Sequence, residues 1–251
     1  MDVQSVGKVV VVTIPQQYSK PYSSGGKFFI REGASSQQMS RDEIREFFFK
    51  EGLIHFDESP CITYYIERHL TTAIWKRFTK LANVPTDSDK MATLRNLHLL
   101  KNGEMTHAGA WLLCKDITLH TLRAGVTCVL FQGETKTNIL DKKDFTQDLY
   151  TILENCMTYI RSRLNTALIP HGNGRDERLE IPEAALREAL VNAIVHRDYR
   201  STANVQIYIF HNRVEFVTPG GLPAGMHVKD LGSKSVPRNP LLLSMFYRMN
   251  L

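Results

Sequence analysis

The sequence predicts an α+β protein, for three reasons. Short apolar runs bounded by turn-forming residues are typical of strands, and they occur in both halves of the chain. Residues 64–113 and 144–164 carry apolar side chains at three- to four-residue spacing, which predicts amphipathic helices. No repeat of solenoid length is present in the sequence. With 251 residues, the chain is long enough for one large domain or two to three small ones.

The first predicted unit contains two strands and a helix. Residues 9–12 form a valine run, and residues 28–31 resume as a second strand after a turn-rich break. Ser40 is a suitable N-cap for a helix that runs to Lys50, and Glu43 completes a capping box. Two strands and one helix make a poor core by themselves, so we expect more sheet to precede them in the natural protein.

The middle of the chain is predicted to be helical. Asp87 is a candidate cap for one helix, and Thr106 is the candidate start of another. Between them, Asn102-Gly103 is a strong turn signal. The pattern fits a small winged-helix-like module and a simple helical connector equally well. The apolar positions that define the first helix are Leu70, Ile74, Trp75, Phe78 and Leu81.

The last part of the chain mixes strands and helices. The run VTCVLFQG after Gly125 is typical of a buried strand, and a long helix is predicted from Asp144 to Leu164. Another helix is predicted to start at Pro182, because proline is favoured in a first helical turn. NVQIYIF and RVEFVT then alternate as two strands around a His211-Asn212 turn, and LLLSMFYRM begins a final helix that the sequence cuts short.

The composition excludes some classes of protein and leaves others open. No apolar run reaches 18 residues and no signal peptide is recognisable, so we expect a cytoplasmic protein without a membrane partner. The four cysteines are far apart, as reduced and mostly buried thiols would be, and neither they nor the nine histidines predict a metal site. The net charge of +5 suits a nucleic-acid partner but is also common in proteins that never touch DNA.

Three polar residues stand on one face of the helix that starts at Pro182. Glu188, Asn192 and His196 follow one another at intervals of four residues, which stacks them on the same side. A carboxylate can orient or deprotonate water, and an amide oxygen is a ligand suited to Mg²⁺. The alternative is a solvated polar face that aligns by chance.

Two later loops carry groups that suit an anion. Residues 218–225 contain Thr218, Gly220, Gly221 and Gly225, and glycines let backbone N–H groups turn toward a negative charge. Residues 233–240 add the cations Lys234 and Arg238 near a helix start. An ordinary turn and an exposed loop are the alternatives when each stretch is taken alone.

The chain resembles the RecG C-terminal domain family across residues 123–251. The resemblance rests on EALVNAIVHRDY, on VQIYIFHNRVEFVTPGGLPAG and on SVPRNPLL, in that order. That domain occurs in bacterial and archaeal proteins described as transcriptional regulators or RecG-like helicases. The resemblance implies a fold of the GHKL ATPase type, which includes histidine kinases, in which helices cover one face of a mixed sheet. It also implies that residues 123–251 form a two-layer α/β domain truncated at its end.

The segments upstream resemble the domains that precede this family. FFIREGASSQQMSRDEI, residues 28–44, is similar to the end of an AlbA-type, Schlafen-like DNA-binding domain, so residues 1–50 are expected to be the tail of such a domain. Residues 51–122 resemble the helical linker between the two domains. The resemblance therefore implies a transcriptional regulator that binds DNA in its full-length form.

The resemblance also implies roles for the polar residues, with departures. Glu188 would be the base that activates water, and Asn192 the Mg²⁺ ligand; ATP and Mg²⁺ would be the cofactors. The adenine-binding Asp of the family's D-x-G-x-G motif is absent at 218–221, its Gly-rich ATP lid is not evident, and the Walker loop of a helicase is missing. These departures weigh against catalysis. The residues expected to bind nucleotide are Asn192, His196, Thr218, Gly220, Gly221, Gly225, Lys234 and Arg238.

Three functions are therefore open from the sequence. The first is a DNA-binding regulator whose C-terminal domain binds a nucleotide, binds another small anion or serves assembly. The second is an active Mg²⁺-dependent ATPase, and the third is a non-catalytic interaction module. Self-association into a homo-oligomer is compatible with each of them.

Overall fold

A computed structural model gives the fold of the protein. It describes residues 2–6, 9–13, 22–85, 87–171, 174–223, 226–230, 232–233 and 236–251. The chain divides into two compact units, Met1–Leu53 and Ile54–Leu251. Helices and strands are mixed in both units, which confirms the predicted α+β class.

The described residues of the first unit form two small antiparallel sheets and one helix. Strands β1 and β2 form a hairpin, strands β3, β4 and β5 form a three-stranded sheet in that order, and helix α1 follows. Ser40 caps α1 as predicted, because its hydroxyl accepts from the Glu43 N–H while the Glu43 carboxylate accepts from the Ser40 N–H at 2.7 Å. The elements are β1 Asp2–Val6, β2 Val9–Thr13, β3 Ser23–Ser24, β4 Lys27–Glu32, β5 Ser35–Gln38 and α1 Arg41–Lys50.

The predicted strand–turn–strand–helix unit was incomplete. Both of its predicted strands and its helix are present, but β1, β3 and β5 were not predicted. The sequence of β5 is SSQQ, which has no apolar alternation, and its residues pair with β4 from Phe29↔Gln38 to Glu32↔Ser35. Such a strand is defined by backbone pairing with its neighbour and leaves little signal in its side chains.

The second unit begins with four helices and a hairpin. Helices are present within residues 64–113 as predicted, and the predicted Asn102-Gly103 turn joins β6 and β7, two short strands that were not predicted. Asp89, not Asp87, caps α4 and accepts from the Ala92 N–H, whereas Thr106 caps α5 as predicted. The elements are α2 Ile66–His69, α3 Thr72–Leu81, α4 Lys90–Asn96, β6 Leu100–Lys101, β7 Glu104–Met105 and α5 His107–Leu113.

A four-stranded mixed sheet forms the centre of the second unit. Its order is β13-β12-β8-β9, with β12 parallel to β8 and the other neighbours antiparallel. The strands β10 and β11 form a separate hairpin. The elements are β8 Val126–Phe131, β9 Ile139–Phe145, α6 Leu149–Arg161, β10 Thr166–His171, β11 Gly174–Leu179, α7 Glu183–Val195, β12 Val205–Ile209, β13 Val214–Val217 and α8 Pro240–Arg248.

The long helix predicted from Asp144 starts later. Asp144 lies in β9, an edge strand that pairs with β8, and α6 begins at Leu149. Asp148 is the N-cap, and its carboxylate accepts from the Thr151 N–H. The charged sequence of β9 is typical of an edge strand, where charges discourage pairing with other chains.

Helices α6 and α7 cover one face of this sheet. Cys128 and Ile207 from the sheet, Leu153 from α6 and Ile194 from α7 are all buried in one apolar cluster. The predicted apolar stripe of α7 supplies further members: Leu186, Leu190 and Ala193. All four cysteines are free and buried, as predicted. None of the helices in the described part of the chain is long and apolar enough to cross a membrane.

Candidate functional site

The polar face of α7 is open to solvent. Glu188 and Asn192 lie one turn apart and are exposed, and His196, the C-cap of the helix, is half-buried. Among the residues that the structure describes, no hydrogen bond is made by the Glu188 or Asn192 side chains. A carboxylate and an amide on an exposed helix face are accessible to a ligand or a hydrated cation.

Two segments that are distant in sequence form hydrogen bonds with the end of α7. Thr218, after β13, donates its hydroxyl proton to the Ala193 carbonyl at 2.8 Å. Asn239, before α8, is buried and donates to the carbonyls of Val195 at 2.7 Å and Arg197 at 2.9 Å. The last carbonyls of a helix have no partner within the helix, so these bonds satisfy groups that would otherwise be buried without one. Residues 218–221, which we call the glycine loop, and the segment before α8 therefore lie at the C-terminal end of α7.

Arg197 and Tyr199, which follow His196, make buried contacts in the core. Arg197 is fully buried, and one of its Nη atoms donates to the carbonyls of Arg123, Ser201 and Ala203. Its guanidinium lies 4.6 Å from the Tyr199 ring. That ring stacks on Trp111 with centroids 3.8 Å apart. This part of the motif is therefore buried in the core.

Asp198 stands between two arginines. Its oxygens accept from Arg200 at 3.0 and 2.9 Å, and Arg238 lies 3.5 Å from one of them. Burial alone would raise the pKa of Asp198, but the hydrogen bonds from Arg200 and the charge of Arg238 outweigh it and lower the pKa. The carboxylate is therefore ionised at neutral pH.

The glycine loop packs against this cluster. The Asp198 N–H donates to the Pro219 carbonyl at 2.9 Å, and Arg238 donates to the Gly221 carbonyl. Gly220 has φ +111°, and a Cβ there would lie 3.0 Å from the Asp198 Cβ. A glycine is therefore required at 220 for the loop to approach so closely. Gly221 is exposed, and a methyl group at that position would meet no atom within 4 Å.

His196 shares the surroundings of Arg238. Burial lowers the pKa of the imidazole, and the positive charge of Arg238 lowers it further. The ring is therefore neutral at pH 7, so one ring nitrogen can donate and the other can accept.

The structure brings together most of the residues that the sequence singled out. Thr218, Gly220 and Arg238 meet at the end of α7, near His196, while Asn192 lies one turn back and Glu188 two turns back on the helix. Gly225 and Lys234 lie outside the described residues. The described residues contain no cluster of three or more histidines, cysteines or carboxylates that could hold a metal.

Sequence reasoning missed Asp198, Arg200 and Asn239. Asp198 and Asn239 lie within the stretches that carry the resemblance and Arg200 directly follows the first of them, but nothing in the local pattern indicated where their side chains go. Asp198 pairs with Arg238, which is distant in sequence, and Asn239 donates to the Val195 carbonyl 44 residues away along the chain. A signal could have come from the spacing of polar residues at the end of an apolar helix, where carbonyls need donors.

Residues 202–251 match the family model described as "Putative ATP-dependent DNA helicase recG C-terminal". This segment is recG-like. The recG-like segment includes β12, β13, α8, the glycine loop and Arg238, but not α7. No curated protein matches the chain.

The chain is similar in fold to a solved structure. The crystal structure of the DIP2311 protein from Corynebacterium diphtheriae superposes with a TM-score of 0.63 at 19% sequence identity. The match covers 90% of this chain and 45% of that one, so the chain spans less than half the length of this structure. At this identity the likeness shows the fold alone. The AlbA-type, Schlafen-like resemblance of residues 1–50 and the domain boundaries stay predictions.

Proposed function

We propose that the chain binds a nucleotide di- or triphosphate where the end of α7, residues 218–221 and Arg238 meet. The observation that supports this most is the bonding of the recG-like segment to the helix that bears Asn192 and His196, through Thr218 to Ala193 and through Asn239 to Val195. An exposed glycine, a neutral imidazole and a guanidinium are groups that bind phosphate oxygens.

In this proposal the exposed face of α7 serves a magnesium ion. Mg²⁺ keeps several of its waters and needs only one or two protein ligands beside the phosphates. The Asn192 amide oxygen would be such a ligand, and the Glu188 carboxylate would accept a proton from water. Both side chains are exposed and without a partner among the described residues. ATP with Mg²⁺ is accordingly the cofactor pair to test.

The test is the thermal stability of the purified chain with ATP, with Mg²⁺ and with both. A rise in Tm that needs ATP and Mg²⁺ together, and that falls in Asn192→Ala, is expected. The control is Gln206→Ala, a substitution on the central sheet and away from α7. No change in Tm at millimolar nucleotide would contradict the proposal and favour the interaction module.

ATP hydrolysis is a separate form of the proposal. The Thr218 hydroxyl donates to the Ala193 carbonyl, and a hydroxyl cannot replace the adenine-binding carboxylate of the family. The observed groups therefore support nucleotide binding more than nucleotide hydrolysis. Phosphate release by the wild type that is lost in Glu188→Gln, with nucleotide binding retained, would establish an ATPase. Equal background rates in both proteins would leave binding alone.

A DNA-binding regulatory role is proposed for the full-length protein. It is supported by the net charge of +5 and by the resemblance of residues 28–44 to an AlbA-type domain. Binding of labelled duplex DNA that weakens steeply from about 50 to about 200 mM salt is the expected result, since Lys and Arg release counterions from phosphates. No binding at low salt would contradict a DNA role for these residues.

A further inference from the structure

Asp198, Arg200 and Arg238, which we call the arginine–carboxylate cluster, contain two cations and one anion. Arg200 holds the carboxylate in the fork geometry, with Nε to Oδ1 at 3.0 Å and Nη2 to Oδ2 at 2.9 Å. Arg238 reaches the same carboxylate only through Nη1 at 3.5 Å. The negative charge is therefore satisfied mainly by Arg200, and the cluster keeps one positive charge in excess.

Arg238 is held less completely than Arg200. Its second Nη donates to the Gly221 carbonyl, which carries no formal charge, and its Nε is buried without a hydrogen-bond partner among the described residues. The side chains of Asp198 and Arg238 are 17% and 20% exposed. Both side chains are therefore partly accessible to water, and their partial burial strengthens the interaction of their charges.

A carboxylate and a phosphate compete for the same guanidinium geometry. Both present two oxygens to the two parallel N–H groups of an arginine, and a phosphate with two negative charges attracts the cation more strongly. Because Gly220 has no side chain, the backbone of the loop lies against Asp198 and Arg238 and leaves the exposed Gly221 beside them. An arriving anion would therefore meet Arg238 at the loop.

We propose that Asp198 is an internal competitor for an anion site, which holds Arg238 until a phosphate group displaces it. The inference rests on the proposed function, because the cluster lies where the end of α7, residues 218–221 and Arg238 meet, and it names the group that the ligand must carry. The ligand class is a molecule with a terminal phosphate or diphosphate, free or attached to a nucleoside. Asp198 is a positioning residue in this scheme, and Arg238 contacts the ligand.

The test compares binding of inorganic pyrophosphate by calorimetry in the wild type and three variants. Asp198→Asn removes the competing charge and is expected to bind about tenfold more tightly, with a steeper salt dependence. Arg238→Gln is expected to bind at least tenfold more weakly, and the double variant should behave like Arg238→Gln. The matched control is Arg213→Gln, since Arg213 also pairs with a carboxylate, Glu215, but lies at the β12–β13 hairpin.

A structural role alone would destabilise Asp198→Asn without tightening its binding. Asp198→Asn that is folded by circular dichroism and binds no more tightly than the wild type would overturn the inference. If that variant does not fold, unchanged affinity in Arg238→Gln overturns it and weakened affinity supports it.

Three ligands separate this inference from the proposed function. ADP binding that both variants leave unchanged overturns the inference while nucleotide binding stands. Pyrophosphate binding that depends on Arg238, without any binding of ADP or ATP, supports the anion site and contradicts nucleotide binding. Adenosine has no phosphate, so its affinity is expected to be the same for both variants and the wild type.

Discussion

The buried carboxylate of Asp57 accepts a hydrogen bond from the backbone N–H of Leu242 at 2.9 Å, across 185 residues of sequence. Leu242 lies in the first turn of α8, where N–H groups have no partner within the helix. Asp57 is fully buried, and its Oδ1 has no hydrogen-bond partner among the described residues. The start of the second unit thus caps its last helix.

The burial of Asp57 makes stability fall as pH rises, although the hydrogen bond from Leu242 acts in the opposite direction and lowers the pKa of the carboxyl. Burial raises the pKa of Asp57 to about 6 from its ordinary value of 3.8, so the native state keeps a proton that the unfolded chain loses. The contribution is fully present below pH 3.8 and is lost as pH rises through about 6. Between about pH 5 and pH 8 the wild type should lose about 1 kcal/mol of unfolding free energy relative to Asp57→Asn. Urea titrations of both proteins measure this, and parallel pH profiles would refute it.

Arg197→Lys is expected to destabilise the second unit by about 2–4 kcal/mol. Lysine lacks the planar guanidinium that lies over the Tyr199 ring, and one Nη of this guanidinium also donates to three carbonyls. Urea unfolding measures the change. Arg213→Lys, at an exposed site, should change stability by no more than about 0.5 kcal/mol. Equal effects at the two positions would show that the buried guanidinium is not required.

Gly220→Ala and Gly221→Ala should differ sharply. At 220 a methyl group meets Asp198 at 3.0 Å in a backbone conformation that favours glycine, so a cost of about 1–2 kcal/mol and weaker pyrophosphate binding are expected. At 221 a methyl group has open space and should be tolerated. Thermal unfolding and calorimetry of the two variants provide the comparison. Similar behaviour of both would mean that the loop does not depend on its approach to Asp198.

Asp148 and Asp144 provide a test of where α6 begins. Asp148 is buried and accepts from Thr151 and, at 2.6 Å, from Arg77, so Asp148→Ala should cost about 2–3 kcal/mol. Asp144 is 57% exposed on an edge strand, and Asp144→Ala should cost less than about 1 kcal/mol. Denaturant titrations measure the loss of stability in each variant. A larger loss in Asp144→Ala than in Asp148→Ala would favour a helix that starts at Asp144, as the sequence predicted.

What could be predicted from the sequence was local. The capping box of Ser40, the Asn102-Gly103 turn and the stripe of α7 each depend on residues within a few positions of one another, and all three are present in the structure. The exposed position of Glu188 also follows from helical periodicity.

What could not be predicted depends on distant partners. Strand β9 has the sequence ILDKKDF, which carries no alternating pattern, and it exists because it pairs with β8. The same holds at the candidate site, where the role of Asp198 depends on its contacts with Arg238 and Gly220, which are distant in sequence. Periodicity cannot report a contact between segments that are tens of residues apart.

The bonds that join the recG-like segment to the rest of the chain set a lower limit on the length of a fragment that can fold. Strand β12 pairs with β8. Thr218 and Asn239 donate hydrogen bonds to carbonyls of α7, and the Leu242 N–H donates to the Asp57 carboxylate. Residues 202–251 expressed alone would leave one side of β12 without a partner strand and these polar groups facing water. The segment that matches the family model is therefore shorter than the segment that is needed for a stably folded domain.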